Sequence, residues 1–167
     1  YYRAWLVLLY ALLLVSVRAK GRRPVWIPLA AGTAGLALAV FLTRGAFYMG
    51  DMAVAVLDVG QGQSVLVRTG EHLTLVDCGG DSREGPGNVA ADYLQGLGQS
   101  GIDLLVVSHY HADHANGIPQ LLRRIDVGEI ALPDVEEDSP LRAEIISAAR
   151  ERGIPVRLVR EEVRFYL

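Results

Sequence analysis

The sequence predicts an α/β domain carried behind two membrane-spanning helices, and three of its features lead there. Charge divides the chain: residues 1–43 hold five Lys and Arg and no Asp or Glu, whereas residues 44–167 hold eleven against nineteen, so the two parts stand at +5 and −8. The basic part contains two long uncharged apolar runs. The acidic part instead shows short β-branched runs that give way to alternating helical and strand patterns. With 167 residues, 51% hydrophobic and 21% charged, the chain is not a disordered tail. Opening on Tyr1, it reads as a piece of a longer protein.

The apolar runs are Ala4 to Val17, fourteen residues, and Val25 to Thr43, nineteen residues. At about 1.5 Å per residue the second matches a hydrocarbon core of about 30 Å. The first is shorter, but Tyr1 and Tyr2 suit the interface and Arg3 can snorkel to it. Between them Arg18, Lys20, Arg22, Arg23 and Pro24 form a basic turn in which proline stops any continuing helix. Residues 1–43 are therefore expected to be a membrane hairpin whose loop, 18–24, is cytoplasmic by the positive-inside rule, which places everything after Arg44 on the extracytoplasmic side. A cleavable signal peptide is the alternative, disfavoured because no small-residue cleavage site follows and a second apolar run does. Neither run holds an ionisable residue, and Gly32, Thr33, Ala34 and Gly35 would permit close helix packing.

Residues 44–51 are a candidate linker, and from Met52 the pattern changes. Ala53 to Val59, Ser64 to Arg68 and Leu73 to Val76 read as three successive strands separated by turn clusters. Val89, Tyr93, Leu94 and Leu97 then fall on one helical face, which Gly98 and Gly101 end. Leu104 to Val107 is a short apolar strand of the kind buried on both faces. A helical stripe at Ile118, Leu121, Leu122 and Ile125, a strand at Glu129 to Leu132, a helix at Leu141 to Arg152 and a strand at Val156 to Val159 complete an order βββαβαβαβ. Such a meander followed by alternation fits helices layered on a sheet.

The chemistry concentrates in Ser108, His109, Tyr110, His111, Ala112, Asp113 and His114, directly behind that apolar strand. Side chains two apart in an extended loop project to one side, so His109 and His111 can converge on one ion. Asp113 and His114, at the turn into the following helix, can join them or face a neighbouring ion. A solvated polar loop explains one histidine, not three with an aspartate at the C-terminal end of a buried strand, where open α/β sheets place their ligands. The single cysteine, Cys78, excludes an internal disulfide and the thiolate zinc motifs. Any metal is held by imidazole and carboxylate, a set that suits zinc, manganese and iron alike.

The run His109-x-His111-x-Asp113-His114 resembles the signature of the metallo-β-lactamase fold, a four-layer α/β/β/α sandwich of metal-dependent hydrolases. Further resemblance lies in Leu57-Asp58-Val59-Gly60-Gln61-Gly62-Gln63-Ser64 and in Leu75-Val76-Asp77-Cys78-Gly79-Gly80. With the preceding membrane runs these are similar to the ComEC family, inner-membrane channels for DNA uptake in competence whose metallo-β-lactamase-like domain degrades one strand. The resemblance implies two divalent ions, zinc or manganese, with His109, His111, Asp113 and His114 as ligands and Asp113 also as a catalytic residue. Such a pair of ions activates water and clamps both attacking and leaving oxygens. It implies single-stranded DNA, the membrane and other DNA-uptake proteins as partners. It also implies that residues 52–167 are the N-terminal part of the domain, further ligands lying beyond, so that this piece alone binds metal weakly and is catalytically poor.

Several residues carry two readings. Gly60 and Gly62 suit a plain turn, with Asp58 and Gln61 bonding loop backbone, or the resemblance makes this loop part of the site. Asp77 is either a turn cap or, by resemblance, the acceptor that orients the metal loop. Gln63 stands where the family has aspartate, which keeps a catalytically silent channel accessory in view. Cys78, where the family more often has threonine, reads as packing. His72 is expected to be exposed, Tyr110 offers a ring for a base to stack on, and Glu136, Glu137 and Asp138 suit a solvated approach to a helix N-terminus. A charge of −8 gives no electrostatic footprint for DNA, so the polynucleotide rests on resemblance, beside an anchored hydrolase of a small phosphodiester or envelope substrate.

Overall fold

The computed structural model describes residues 10, 11, 14, 26–48 and 50–165, with side chains of the first full helix described over 30–42. The chain divides into two compact units, Tyr1–Met49 and Gly50–Leu167. In the first, helix α1 runs Trp26–Tyr48, and Leu38, Phe41 and Leu42 on it are exposed. Among the described residues no helix is long and apolar enough to cross a membrane. Apart from positions 10, 11 and 14, the run Ala4 to Val17 and the basic loop 18–24 lie outside the described residues. The two-helix hairpin is thus an expectation of the sequence pattern.

The second unit is built on one mixed sheet in the order β1-β2-β3-β4-β5-β6. Its strands are β1 Met52–Val56, β2 Gln63–Thr69, β3 His72–Gly79, β4 Gly101–Val106, β5 Asp126–Pro133 and β6 Val156–Val159. The first three pair antiparallel and the rest parallel. Where the resemblance led us to expect two facing sheets, the described residues form this single six-stranded sheet. Four helices follow the strands: α2 Pro86–Gly96, α3 Ala112–Ala115, α4 Ile118–Leu122 and α5 Pro140–Glu151. Helix α2 packs on α4 and β3, and α4 packs on α5.

Two boundaries differ instructively from the sequence reading. The first strand ends at Val56 rather than Val59, because after the Leu57 N–H donates to the Ser64 carbonyl (2.9 Å) the chain peels away, and the Val59 carbonyl accepts instead from Ser82 N–H (3.0 Å). The helical stripe from Ile118 is shorter than its periodicity suggests, ending at Leu122. A separate turn of helix, α3, precedes it and carries Asp113 and His114. Elsewhere the chemistry matches the pattern: Ser139 caps α5 by accepting from Arg142 N–H, and α2 closes at Gly98 with φ 81°, a conformation that costs glycine little.

The core is a transverse row. Leu66, Leu75, Leu105 and Ile130 stand in register across β2 to β5 and all are 0% exposed. Each such side chain withdrawn from water contributes about 1.5–3 kcal/mol before conformational entropy is set against it. On β1, by contrast, Met52, Val54 and Val56 are exposed. At the far end of β5, Asp134, its side chain 4% exposed, is gripped by Arg142 of α5 at 2.8 Å and by Arg160 beyond β6. The hydrogen bond from Arg160 holds its carboxyl below the usual carboxylate range, against the opposing effect of desolvation. Glu136, Glu137 and Asp138 are exposed, as the charge pattern predicts.

The end of β3 is fitted to α3 without room for a side chain. A Cβ on Gly79 would lie 2.4 Å from the His114 backbone, and one on Gly62 would lie 2.2 Å from the Gly79 carbonyl oxygen. We expect Gly79→Ala to destabilise the domain by about 1–3 kcal/mol, the usual cost of overpacking. Gly96→Ala, at a helix position with nothing within 4 Å, should stabilise it by about 0.4–1 kcal/mol. Chemical denaturation of the two variants measures both, and equal effects at the two sites would refute the tight fit at Gly79.

Candidate metal centre

Strands β3 and β4 are parallel neighbours with Val76 opposite Val106, so their C-terminal ends arrive side by side. Asp77, one residue past that register, faces the loop that leaves β4. Its carboxylate is fully buried and fully used. One oxygen, Oδ1, accepts from Ser108 N–H at 2.7 Å, while Oδ2 accepts from the Ser108 hydroxyl at 2.7 Å and from Nδ1 of His114 at 2.8 Å. Asp77 itself has φ 58°, a left-handed conformation that aspartate tolerates better than most residues but still at a cost. The surrounding hydrogen bonds offset it. Of the two sequence readings of Asp77, turn cap or loop acceptor, the contacts are those of the acceptor.

Ser108 extends the network to the next ring, since its Oγ lies 3.0 Å from Nδ1 of His109. With the hydroxyl proton given to Asp77, that oxygen accepts from Nδ1–H of His109. This network assigns the tautomer: both His109 and His114 carry the proton on Nδ1 and keep the Nε2 lone pair free. Orienting a ligand imidazole through its second nitrogen is the arrangement metal sites use.

The resulting cluster is compact. His109, His111 and Asp113 each offer one ligand atom, all within 4.8 Å of one another. Their approach follows from local geometry: His111 is extended, with φ −69° and ψ 152°, and forms the N-cap of α3, whose first turn holds Asp113. The His109 ring lies 4.9 Å from that of His111 and 3.9 Å from that of His114. His114 stands beside the trio, with Nε2 3.6 Å from Asp113 Oδ2. Three imidazoles and one carboxylate, partly open to solvent, fit a borderline divalent cation as a donor set.

Other residues singled out from the sequence lie elsewhere. Asp58 and Gln61 are exposed in the loop between β1 and β2. The Asp58 carboxylate accepts from Gly60 N–H at 3.4 Å, while Gln61 N–H donates to Asp81 at 2.7 Å. Cys78 is fully buried and its thiol is pushed up to about 12 by burial, with the neighbouring Asp77 charge acting in the same direction. His72 is exposed, 3.5 Å from Asp103.

Tyr110 corrects the expectation of a stacking ring, because it is 3% exposed and its hydroxyl donates to the Pro133 carbonyl at 2.6 Å. In an extended segment whose outer neighbours face the site, the middle residue must point inward. Sequence reasoning also missed Ser108 as a bridge and Asn116 as a clamp. The Asn116 amide accepts from Gly80 N–H at 3.0 Å and donates to the Gly80 carbonyl at 2.9 Å. The position of Ser108, between the apolar strand and the first histidine, was the available signal for the former.

Residues 57–166 match the family model of the metallo-beta-lactamase superfamily. A curated relative, competence protein ComA of Neisseria gonorrhoeae, is 38% identical over 120 residues, which are 72% of this chain and 16% of that protein. The chain therefore spans about a sixth of that relative's length. Among solved structures the fold is similar to that of a metallo-beta-lactamase candidate from Thermotoga maritima, with TM-score 0.51, 13% identity and coverage of 70% of this chain and 63% of that one. With the family match spanning β2 to β6, the histidine cluster and its buried aspartate, the chain belongs to the metallo-beta-lactamase superfamily, and its domain is of the ComEC type.

Proposed function

We propose that the chain is part of a membrane protein of DNA uptake in competence, whose extracytoplasmic domain is a metal-dependent hydrolase that cuts the phosphodiester bonds of one DNA strand. The observation that carries this reading is the His109, His111 and Asp113 cluster braced from behind by buried Asp77. Competence in the name of the ComA relative and the apolar runs of residues 1–43 support the setting. Membrane insertion, single-stranded DNA as substrate and association with other uptake proteins all belong to this proposal.

His109, His111, Asp113 and His114 would hold the metal, zinc or manganese. When bound, a divalent ion supplies Lewis acidity and brings the pKa of water toward neutrality. The chain's own part is orientation: Ser108 and Asp77 fix the Nδ1 protons of His109 and His114 and so aim both Nε2 atoms outward. Asp113, exposed beside them, would accept a proton from an attacking water. One observation favours a second reading. Gln63, a neutral amide, opens β2 opposite Gly79, where the resemblance gives a carboxylate, and a catalytically silent channel accessory would tolerate that.

The test uses the full-length protein with labelled single-stranded DNA and a generic phosphodiester, each with zinc or manganese. We expect DNA cleavage that a chelator abolishes, that returns with metal, and that falls below detection in His111→Ala and Asp113→Ala. Turnover of the small ester alone would favour an anchored hydrolase, and a metal-loaded but inert protein would favour the accessory. Asp77→Asn should weaken metal binding about 10–100-fold while the domain stays folded, as read by zinc titration beside circular dichroism. Unchanged affinity would separate Asp77 from the metal centre.

A further inference from the structure

Tyr110 lies between two candidate ligands and is directed away from them. Its ring is in the core, and its hydroxyl is spent on a backbone carbonyl 23 residues along the chain, at Pro133, the last residue of β5. That carbonyl is held by the β5–β6 ladder and by the side chain of the residue that follows it. Pro133 pairs with Val159 of β6. The next residue, Asp134, donates its N–H to the Val159 carbonyl at 2.9 Å. The Asp134 side chain is held by Arg142 of α5 and by Arg160, so a helix and the segment beyond β6 both brace the end of β5. On the other side, the strand before the loop is held where Val107 N–H donates to the Ala131 carbonyl at 3.0 Å.

We propose that Tyr110 is a positioning residue whose phenol hydroxyl tethers the ligand loop to the braced end of β5 and so sets the separation of His109 and His111. This deepens the metallohydrolase reading and rests on it. Asp77 fixes the ring of His114 directly and Ser108 fixes that of His109, yet none of the hydrogen bonds that Asp77 or Ser108 makes reaches His111. On its C-terminal side His111 is held by α3, whose His114 and Ala115 N–H groups both donate to the His111 carbonyl at 3.0 Å, and on its N-terminal side the Tyr110 hydroxyl pins the loop from beneath. The tether also links metal affinity to α5, a helix without a residue in the cluster.

The test is Tyr110→Phe in the full-length protein, which keeps the ring in the core and removes only the oxygen, alongside Tyr110→Leu, which removes packing as well. A tether predicts that Phe already loses about 10-fold in zinc affinity, the lower end of what outer-shell partners contribute, and that Leu adds little further loss. In the metal-free protein, amides of residues 107–115 should exchange faster in Tyr110→Phe than in the wild type while those of 65–76 keep their rates. A purely packing role predicts that Phe behaves as the wild type and only Leu is impaired, and that result overturns the proposal. If the wild type and His111→Ala bind zinc equally poorly, the metal reading fails, and the exchange rates of the metal-free loop still decide the tether.

Discussion

The site depends on one buried carboxylate. A charge taken out of water costs several kcal/mol unless it is fully hydrogen-bonded, so Asp77, at 0% side-chain exposure, is stable only with its three donors in place: two from Ser108 and one from His114. This turns a liability into a constraint. The loop after β4 and the first turn after it must fold back over the end of β3, since any other arrangement strands the charge. The absence of a side chain at Gly79 lets His114 come close enough to serve as a donor.

The same economy explains why the cluster sits where it does. Parallel strands place all their C-terminal ends on one edge, and β3 is the strand at which the sheet turns from antiparallel to parallel. Ligands supplied by one loop converge there because the strand before that loop is immobilised between β3 and β5. The chemistry is borne by residues on a short loop open to solvent, while its precision is borne by neighbours with no part in ligation, the buried Asp77 among them. Ser108, Asp77 and Asn116 hold one side of the loop.

Much of this was legible in the sequence. The six strands and the helices over α2 and α5 follow from hydrophobic period and turn chemistry, and the ligand run announces itself by composition. What stayed hidden depends on partners distant in sequence. Asp77 and Ser108 are 31 residues apart, and only the parallel pairing of β3 with β4 joins them. The inward direction of Tyr110 followed from alternation but lost to the attraction of an aromatic beside a site. The single-turn helix α3 is too short for any periodicity to reveal.

Cys78 carries a different consequence. Redox chemistry at sulfur proceeds through the thiolate, and a thiol pushed up to about 12 by burial stays protonated at neutral pH. With no solvent exposure it is closed to oxidants as well as deprotonated too rarely to attack a disulfide. Cys78 is thereby shielded from mixed-disulfide formation and offers no competing soft ligand to a metal. The sulfur next to the most heavily used carboxylate in the protein is therefore chemically silent.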